Sequence, residues 1–166
     1  MANATGRQRG RQLPRAEELM VWREFIETVD ALRSEIASRL LAETSLSAGD
    51  YSVLLALSEA PGQRMRSSEL AAEIAWERSR LSHHLGRMER RGLIRRDECA
   101  TDSRGAEVVL TSTGATAFRG ATVPHLRAVR ELFVDAFTPD QLDAARTVAA
   151  ALRAHQQHRR ATATNG

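Results

Sequence analysis

Apolar positions recur at helical spacing over most of this chain and give way to two short strand-like runs near residues 93–110. From Ala16 to Glu43, Leu19, Trp22, Ile26, Val29, Ile36 and Leu40 mark one face of a long amphipathic helix. Phe25 and Leu32 widen that stripe beyond what one partner helix covers. Ser47 and Asp50 make a capping-box pattern that opens a second helix, expected to bury Tyr51, Leu54 and Leu55 with Leu57 at its margin. Pro61-Gly62 stops it, and Arg64-Met65-Arg66 follows as a short extended segment beside the later strands. In a third helix Leu70, Ala71 and Ile74 face inward, with Ser67, Ser68 and Glu69 in its first turn. After a break at residues 75–77, Leu81, Leu85 and Met88 define the inner face of a fourth helix that Gly92 caps.

Leu93 to Arg96 and Glu107 to Leu110 flank Asp102-Ser103-Arg104-Gly105, a hairpin that holds an arginine at its tip. Two short helices and a two-stranded ribbon make a winged helix-turn-helix, so the expected fold class is mainly α with a small β-wing. A helix fits the major groove of DNA, and an arginine on a thin ribbon can enter the minor groove beside it. Beyond the wing, Thr111 caps a helix with Gly114 in its first turn. The stripe Phe118, Ala121, His125, Val129, Leu132, Phe133 carries this helix toward Phe137, and Pro124 is expected to kink or interrupt it. Thr138-Pro139-Asp140-Gln141 restarts a helix whose stripe is Leu142, Ala145, Val148, Ala149 and Leu152, with a frayed polar tail beyond His155. The expected organisation is a basic arm at 1–15, one domain at 16–157 and a tail at 158–166. Within the domain, long terminal helices flank the winged region at about 47–111.

Opposite its apolar stripe, the fourth helix carries Arg78, Ser79, Ser82, His83 and Arg87. Donors and positive charge suit groove and phosphate contact, although an ordinary solvated face has the same composition. Arg80 lies to one side, where backbone phosphate is the nearer partner. His84 falls in angle between Leu81 and Met88 and points to the interior or its rim, as a structural histidine or a ligand sensor. Adjacent histidines diverge on a helix and no carboxylate or thiol has suitable spacing, so neither metal nor cofactor is expected. Trp76, in the turn between the two short helices, serves as a packing pin or stacks on a sugar.

Three motifs resemble those of the multiple antibiotic resistance regulator (MarR) family: Ser68-Glu69-Leu70-Ala71, then Arg90-Arg91-Gly92-Leu93-Ile94-Arg95-Arg96, then Asp102-Ser103-Arg104-Gly105 leading through Val108 and Leu110 to Thr111 and Gly114. The resemblance runs in outline from about Glu17 to His155. It implies a homodimer, mostly a repressor, that lets go of DNA when a small, often phenolic, effector binds or a cysteine is oxidised. The terminal helices are expected to pack together and against those of a second copy, so that a two-fold dimer presents two recognition helices to palindromic double-stranded DNA. Carried onto this chain, the resemblance adds Ser68 to the DNA-contact set and sends Arg104 to the minor groove. Asp102 cannot favour DNA by charge, so its expected task is to orient Arg104 or set the turn. The resemblance also places Trp22, Phe25 and Tyr51 beside a ligand cleft, with His84 as a further candidate. Oxidation-sensing relatives carry their cysteine near the N-terminal helix, where this chain has none. A redox switch would fall to Cys99, with Arg95 and Arg96 lowering its pKa and Glu98 opposing them. A winged helix that reads no base and binds protein instead is the other alternative.

Composition sets the outer bounds. A chain of 166 residues at 42% hydrophobic and 27% charged suits one globular domain. The net charge of +3 does not announce nucleic acid. All 24 basic residues are arginine, which favours bidentate contacts to phosphate and guanine. Uniform replacement of lysine, however, reflects a biased genome more readily than selection at one surface. Arg7, Arg9, Arg11 and Arg15 in the arm can add phosphate contacts or simply solubilise it. A single cysteine leaves no internal disulfide or multi-cysteine zinc site. No apolar run approaches the ~20 residues of a membrane span, and the N-terminus is too polar for a secretory signal, so a cytoplasmic protein is expected. With no Ser-His-Asp arrangement, phosphate loop or clustered carboxylates, an enzyme is not.

Overall fold

The computed structural model describes residues 13–98 and 106–164. Six helices, α1 (Ala16–Thr44), α2 (Ala48–Glu59), α3 (Ser67–Glu73), α4 (Arg78–Arg90), α5 (Ser112–Leu132) and α6 (Pro139–Thr164), accompany three strands, β1 (Arg64–Arg66), β2 (Ile94–Glu98) and β3 (Ala106–Leu110). By its contacts the chain divides inside α1, with one unit ending at Glu35 and the other beginning at Ile36. The first unit is the N-terminal part of α1, where Leu19, Met20, Trp22, Phe25 and Ile26 are exposed.

The second unit holds the core. Leu40, Leu46, Leu54, Leu57, Leu70 and Leu81 are almost fully withdrawn from water there. Helix α2 is its centre and starts from a complete capping box. Ser47 Oγ accepts from the Asp50 N–H at 3.1 Å, and Asp50 Oδ2 accepts from the Ser47 N–H at 2.9 Å. Leu55, expected inside, is exposed, whereas Val53 and Leu57 are fully buried. The cause is angular: α2 is covered around most of its circumference, leaving a narrow outer stripe on which Ser52, Leu55 and Glu59 fall together.

The sheet order is β1-β3-β2, both pairs antiparallel, so β1 pairs with the second wing strand and not the first. Met65 lies opposite Val108, and Arg96 lies opposite the same residue from the other side. Helix α4 ends in a Schellman motif at Gly92 (φ 70°), where the Gly92 N–H reaches Glu89 O at 2.8 Å and the Leu93 N–H reaches Met88 O at 3.0 Å. Positive φ is needed there to turn the chain straight from helix into β2. Thr111 caps α5 by accepting from the Gly114 N–H at 2.9 Å. Gly114 also lies so close to the chain before β2 that a Cβ would fall 2.0 Å from Leu93 O.

Pro124 does not interrupt α5, which runs through it to Leu132. One lost hydrogen bond is outweighed by packing on either side, where Ala121 and Ala128 are buried. The helix does stop short of Phe137, giving way to a 3-10 turn at Val134–Ala136. Helix α6 restarts as expected: the Thr138 N–H donates to Gln141 Oε1 at 2.9 Å and Thr138 Oγ1 accepts from the Gln141 N–H at 3.3 Å. It continues past His155 to Thr164, because no glycine or proline intervenes and the tail is rich in alanine, arginine and glutamine. Among the described residues no helix is long and apolar enough to cross a membrane.

Candidate nucleic-acid interface

Helix α4 puts Leu81, Leu85 and Met88 into the core and leaves Arg78, Ser79, Ser82, His83 and Arg87 exposed on its outer face. The sequence periodicity therefore divides the helix where the structure does. Glu77 precedes α4 without a side-chain cap, and its first turn holds Arg78, Ser79 and Arg80 with no acid. Free N–H groups and two arginines at a helix N-terminus make that turn receptive to an anion. Ser68 is exposed in the first turn of α3, while its neighbour Ser67 turns inward and donates from Oγ to Ala106 O at 2.9 Å, fastening α3 to β3.

Arg80 does not hang free beside this face. Its guanidinium carbon lies 4.1 Å from the centre of the Trp76 ring, a cation–π contact that holds the side chain against the helix-turn-helix corner. Trp76 in turn meets His84 edge-on, with centroids 5.1 Å apart at 87°. The tryptophan is thus a packing pin, and the third side of that pin is Gly49. A Cβ on Gly49 would fall 2.7 Å from Trp76 Cη2 and 2.9 Å from His84 Cε1.

Behind α4 lies a polar network that the spacing of the chain only half announces. Asp50 is 3% exposed, and besides capping α2 its Oδ2 accepts from Arg91 Nη1 at 2.7 Å. Its Oδ1 is 3.0 Å from His84 Nε2, a close contact not aligned as a straight hydrogen bond. Arg91 Nη2 also donates to Ser45 O at 2.9 Å. Burial by itself would raise the Asp50 carboxyl, but His84, Arg91 and Ser47 together outweigh it and hold the group well below the usual carboxylate range. On its other side, His84 Nδ1 accepts from Arg87 Nη2 at 2.8 Å. His84 is therefore a buried histidine whose Nδ1 is hydrogen-bonded and whose Nε2 only lies near a carboxylate, on the inward side where its angle placed it. Asp50 was legible as a cap but not as a charge hub, and Arg91 gave no signal beyond its place in a basic run.

The four residues considered for an effector are divided between the two units. Trp22 and Phe25 are exposed on the first unit. On the second, Tyr51 is buried against Phe118 and His125, with ring centroids 5.2 and 4.3 Å away, while His84 meets Trp76 and Asp50. Burial raises the Tyr51 hydroxyl and lowers the His125 ring from their ordinary values. His125 Nδ1 is buried with no hydrogen-bond partner among the described residues. Sequence reasoning noticed His125 only as a stripe residue. Arg104, Asp102 and Cys99 lie outside the described residues.

Ion pairs among the described wing residues complete the geometry. Arg96 Nε and Nη2 both donate to Glu89 Oε2, at 2.9 and 2.6 Å, while the Arg96 N–H donates to Oε1 at 3.0 Å. Arg64 on β1 reaches Glu107 on β3 at 3.3 Å.

The family model described as "MarR family" matches residues 44–105. Among solved structures, AbsC from Streptomyces coelicolor is 32% identical over 89% of this chain and 99% of its own, with a TM-score of 0.80. Sco3205 from the same organism, in complex with DNA, is 33% identical over 86% and 90%, also at 0.80. An organohalide-sensing regulator bound to 2,4-dichlorophenol shares the fold at 19% identity, over 93% and 89%, with a TM-score of 0.75. No curated protein matches significantly. With a one-third identical relative aligned over nearly its whole length, the chain belongs to the MarR family of transcriptional regulators.

Proposed function

We propose that this regulator works as a homodimer, inserting α4 of each copy into successive major grooves of a palindromic operator and Arg104 of each wing into the adjacent minor groove. The observation that carries this reading is the outer face of α4, where exposed arginines, serines and His83 stand opposite a fully buried apolar stripe. Such a face has no packing purpose, and its charge suits phosphate and base edges. Sco3205, at 33% identity, binds DNA with the same fold. A second copy is suggested by the apolar residues exposed along α1, α5 and α6, Trp22, Phe25, Val123, Leu126, Val148 and Leu152 among them.

Regulation is proposed to be repression relieved by a small molecule of phenolic type, with Trp22, Phe25 and Tyr51 as candidate contacts. The dichlorophenol-bound neighbour supports no more than that this fold can hold a phenol. DNA and effector would then compete through a coupling of about 1–3 kcal/mol that must be reciprocal. Calorimetry with phenols, on free and operator-bound protein, is expected to give weaker effector binding in the bound form; equal affinities overturn the switch. Light scattering at micromolar concentration is expected to give twice the chain mass, and a monomer there would remove the palindrome.

A further inference from the structure

Arg87 does not stand on the outer face of α4 as an untethered cation. Its Nη2 is held at 2.8 Å by His84 Nδ1. A guanidinium has donors only, so Nδ1 must be the acceptor, which is the unprotonated nitrogen of a neutral ring. The ring proton then sits on Nε2, the nitrogen 3.0 Å from Asp50 Oδ1. The carboxylate lies off the line of a hydrogen bond to Nε2, so it favours this tautomer by its charge and proximity, while the Arg87 donor requires it. The groups facing the ring are Asp50 from α2, with Arg91 on its far oxygen, Arg87 from α4 itself, and the edge of Trp76, over which Arg80 lies. Gly49 leaves the room that the ring and Trp76 fill.

We propose that His84 is a positioning residue for DNA contact: its neutral ring, fixed by Asp50, holds the Arg87 guanidinium in place for the duplex. This rests on α4 being the DNA-reading helix. One of five N–H donors is spent on the ring, and the rest stay available to a phosphate or a base edge. A side chain with no acceptor at that point leaves the Arg87 guanidinium unheld.

The test follows, by anisotropy at one neutral pH, binding of the full-length chain to a duplex selected for binding. His84→Asn places an amide oxygen where Nδ1 was, so it should rescue most of the affinity. His84→Gln reaches toward Asp50 but supplies no acceptor to Arg87, and should bind about two- to ten-fold more weakly, the effect of ordering one long side chain. In an Arg87→Ala background, at an exposed position, the two variants should bind alike. Equal affinities for the Asn and Gln variants in the parent chain, or an undiminished difference between them in Arg87→Ala, would overturn the proposal. Nitrogen chemical shifts of the ring give a DNA-free readout, with an Nε2–H tautomer expected and an Nδ1–H tautomer contradicting it. If no duplex is bound at all, the functional reading fails, while the ring spectrum still decides the role of His84.

Discussion

Glu89, the penultimate residue of α4, accepts three hydrogen bonds from Arg96 on β2, two from the guanidinium and one from the backbone N–H. Helix and wing strand are thereby joined at a fixed angle, beyond what the Gly92 turn alone would impose. Arg96 is the main cause of the low Glu89 pKa, ahead of a small opposing effect of burial. A depressed carboxyl contributes stability above its ordinary value and loses it as the pH falls through the lowered one. Glu89→Gln is therefore expected to cost about 0.5–1 kcal/mol at neutral pH, the range for a half-exposed pair. In urea titrations its midpoint should converge on that of the parent chain in strong acid. A constant gap at all pH values would contradict the ion pair.

Asp50 makes a larger prediction from the same logic. Its carboxylate is buried and held low by His84, Arg91 and Ser47 against the opposing effect of burial, so its contribution is present above the usual carboxylate range and lost only in strong acid. Asp50→Ala removes the α2 cap and leaves the Arg91 guanidinium without its buried counter-charge and His84 Nε2 without the neighbouring carboxylate. About 3 kcal/mol is expected, the low end for a broken buried pair because the Arg91 side chain is 43% exposed. Denaturant midpoints at neutral pH measure it, and a loss below about 1 kcal/mol would mean that water replaces the network.

Gly114→Ala tests the junction between wing and α5. A Cβ there would sit 2.0 Å from Leu93 O, a backbone atom that Thr111 also engages from its hydroxyl at 3.0 Å. The neighbouring chain cannot yield without disturbing the entry to β2. Destabilisation of at least about 1–3 kcal/mol is expected, which a thermal scan would report as a fall of roughly 2–4 °C per kcal/mol. An unchanged melting temperature would show that the two segments slide freely.

Much of this architecture was legible in the sequence because local chemistry and packing agree. Ser47, Thr111, Thr138 and Gly92 each stop or start a helix with a side chain or a backbone conformation that acts within a few residues. Leu81, Leu85 and Met88 declare their face by spacing alone. What was illegible depends on partners far along the chain. Leu55 looks like core until α2 is seen covered on every side but one. Arg91 looks like surface until its guanidinium is found 2.7 Å from a carboxylate 41 residues away. The run through Pro124 and the length of α6 failed for the opposite reason: local rules for breaking a helix are weaker than neighbouring packing and unbroken propensity.

The wing arginine is the sharpest expectation from sequence alone. Arg104→Ala should weaken operator binding and reduce the salt dependence by about one phosphate equivalent per wing. For a dimer making ~6–10 phosphate contacts, affinity should fall by about 10³–10⁵ between 50 and 200 mM salt. An identical salt slope in parent and variant would remove Arg104 from the interface.

Selection of bound duplexes from a genomic pool by the purified full-length chain tests the central claim most directly. The expected outcome is enrichment of an inverted repeat whose half-sites lie about 34–36 Å apart, with enrichment lost in Arg78→Ala and Arg87→Ala. Binding that ranks genomic sequence no higher than random duplex, or no binding even at low salt, would contradict the account.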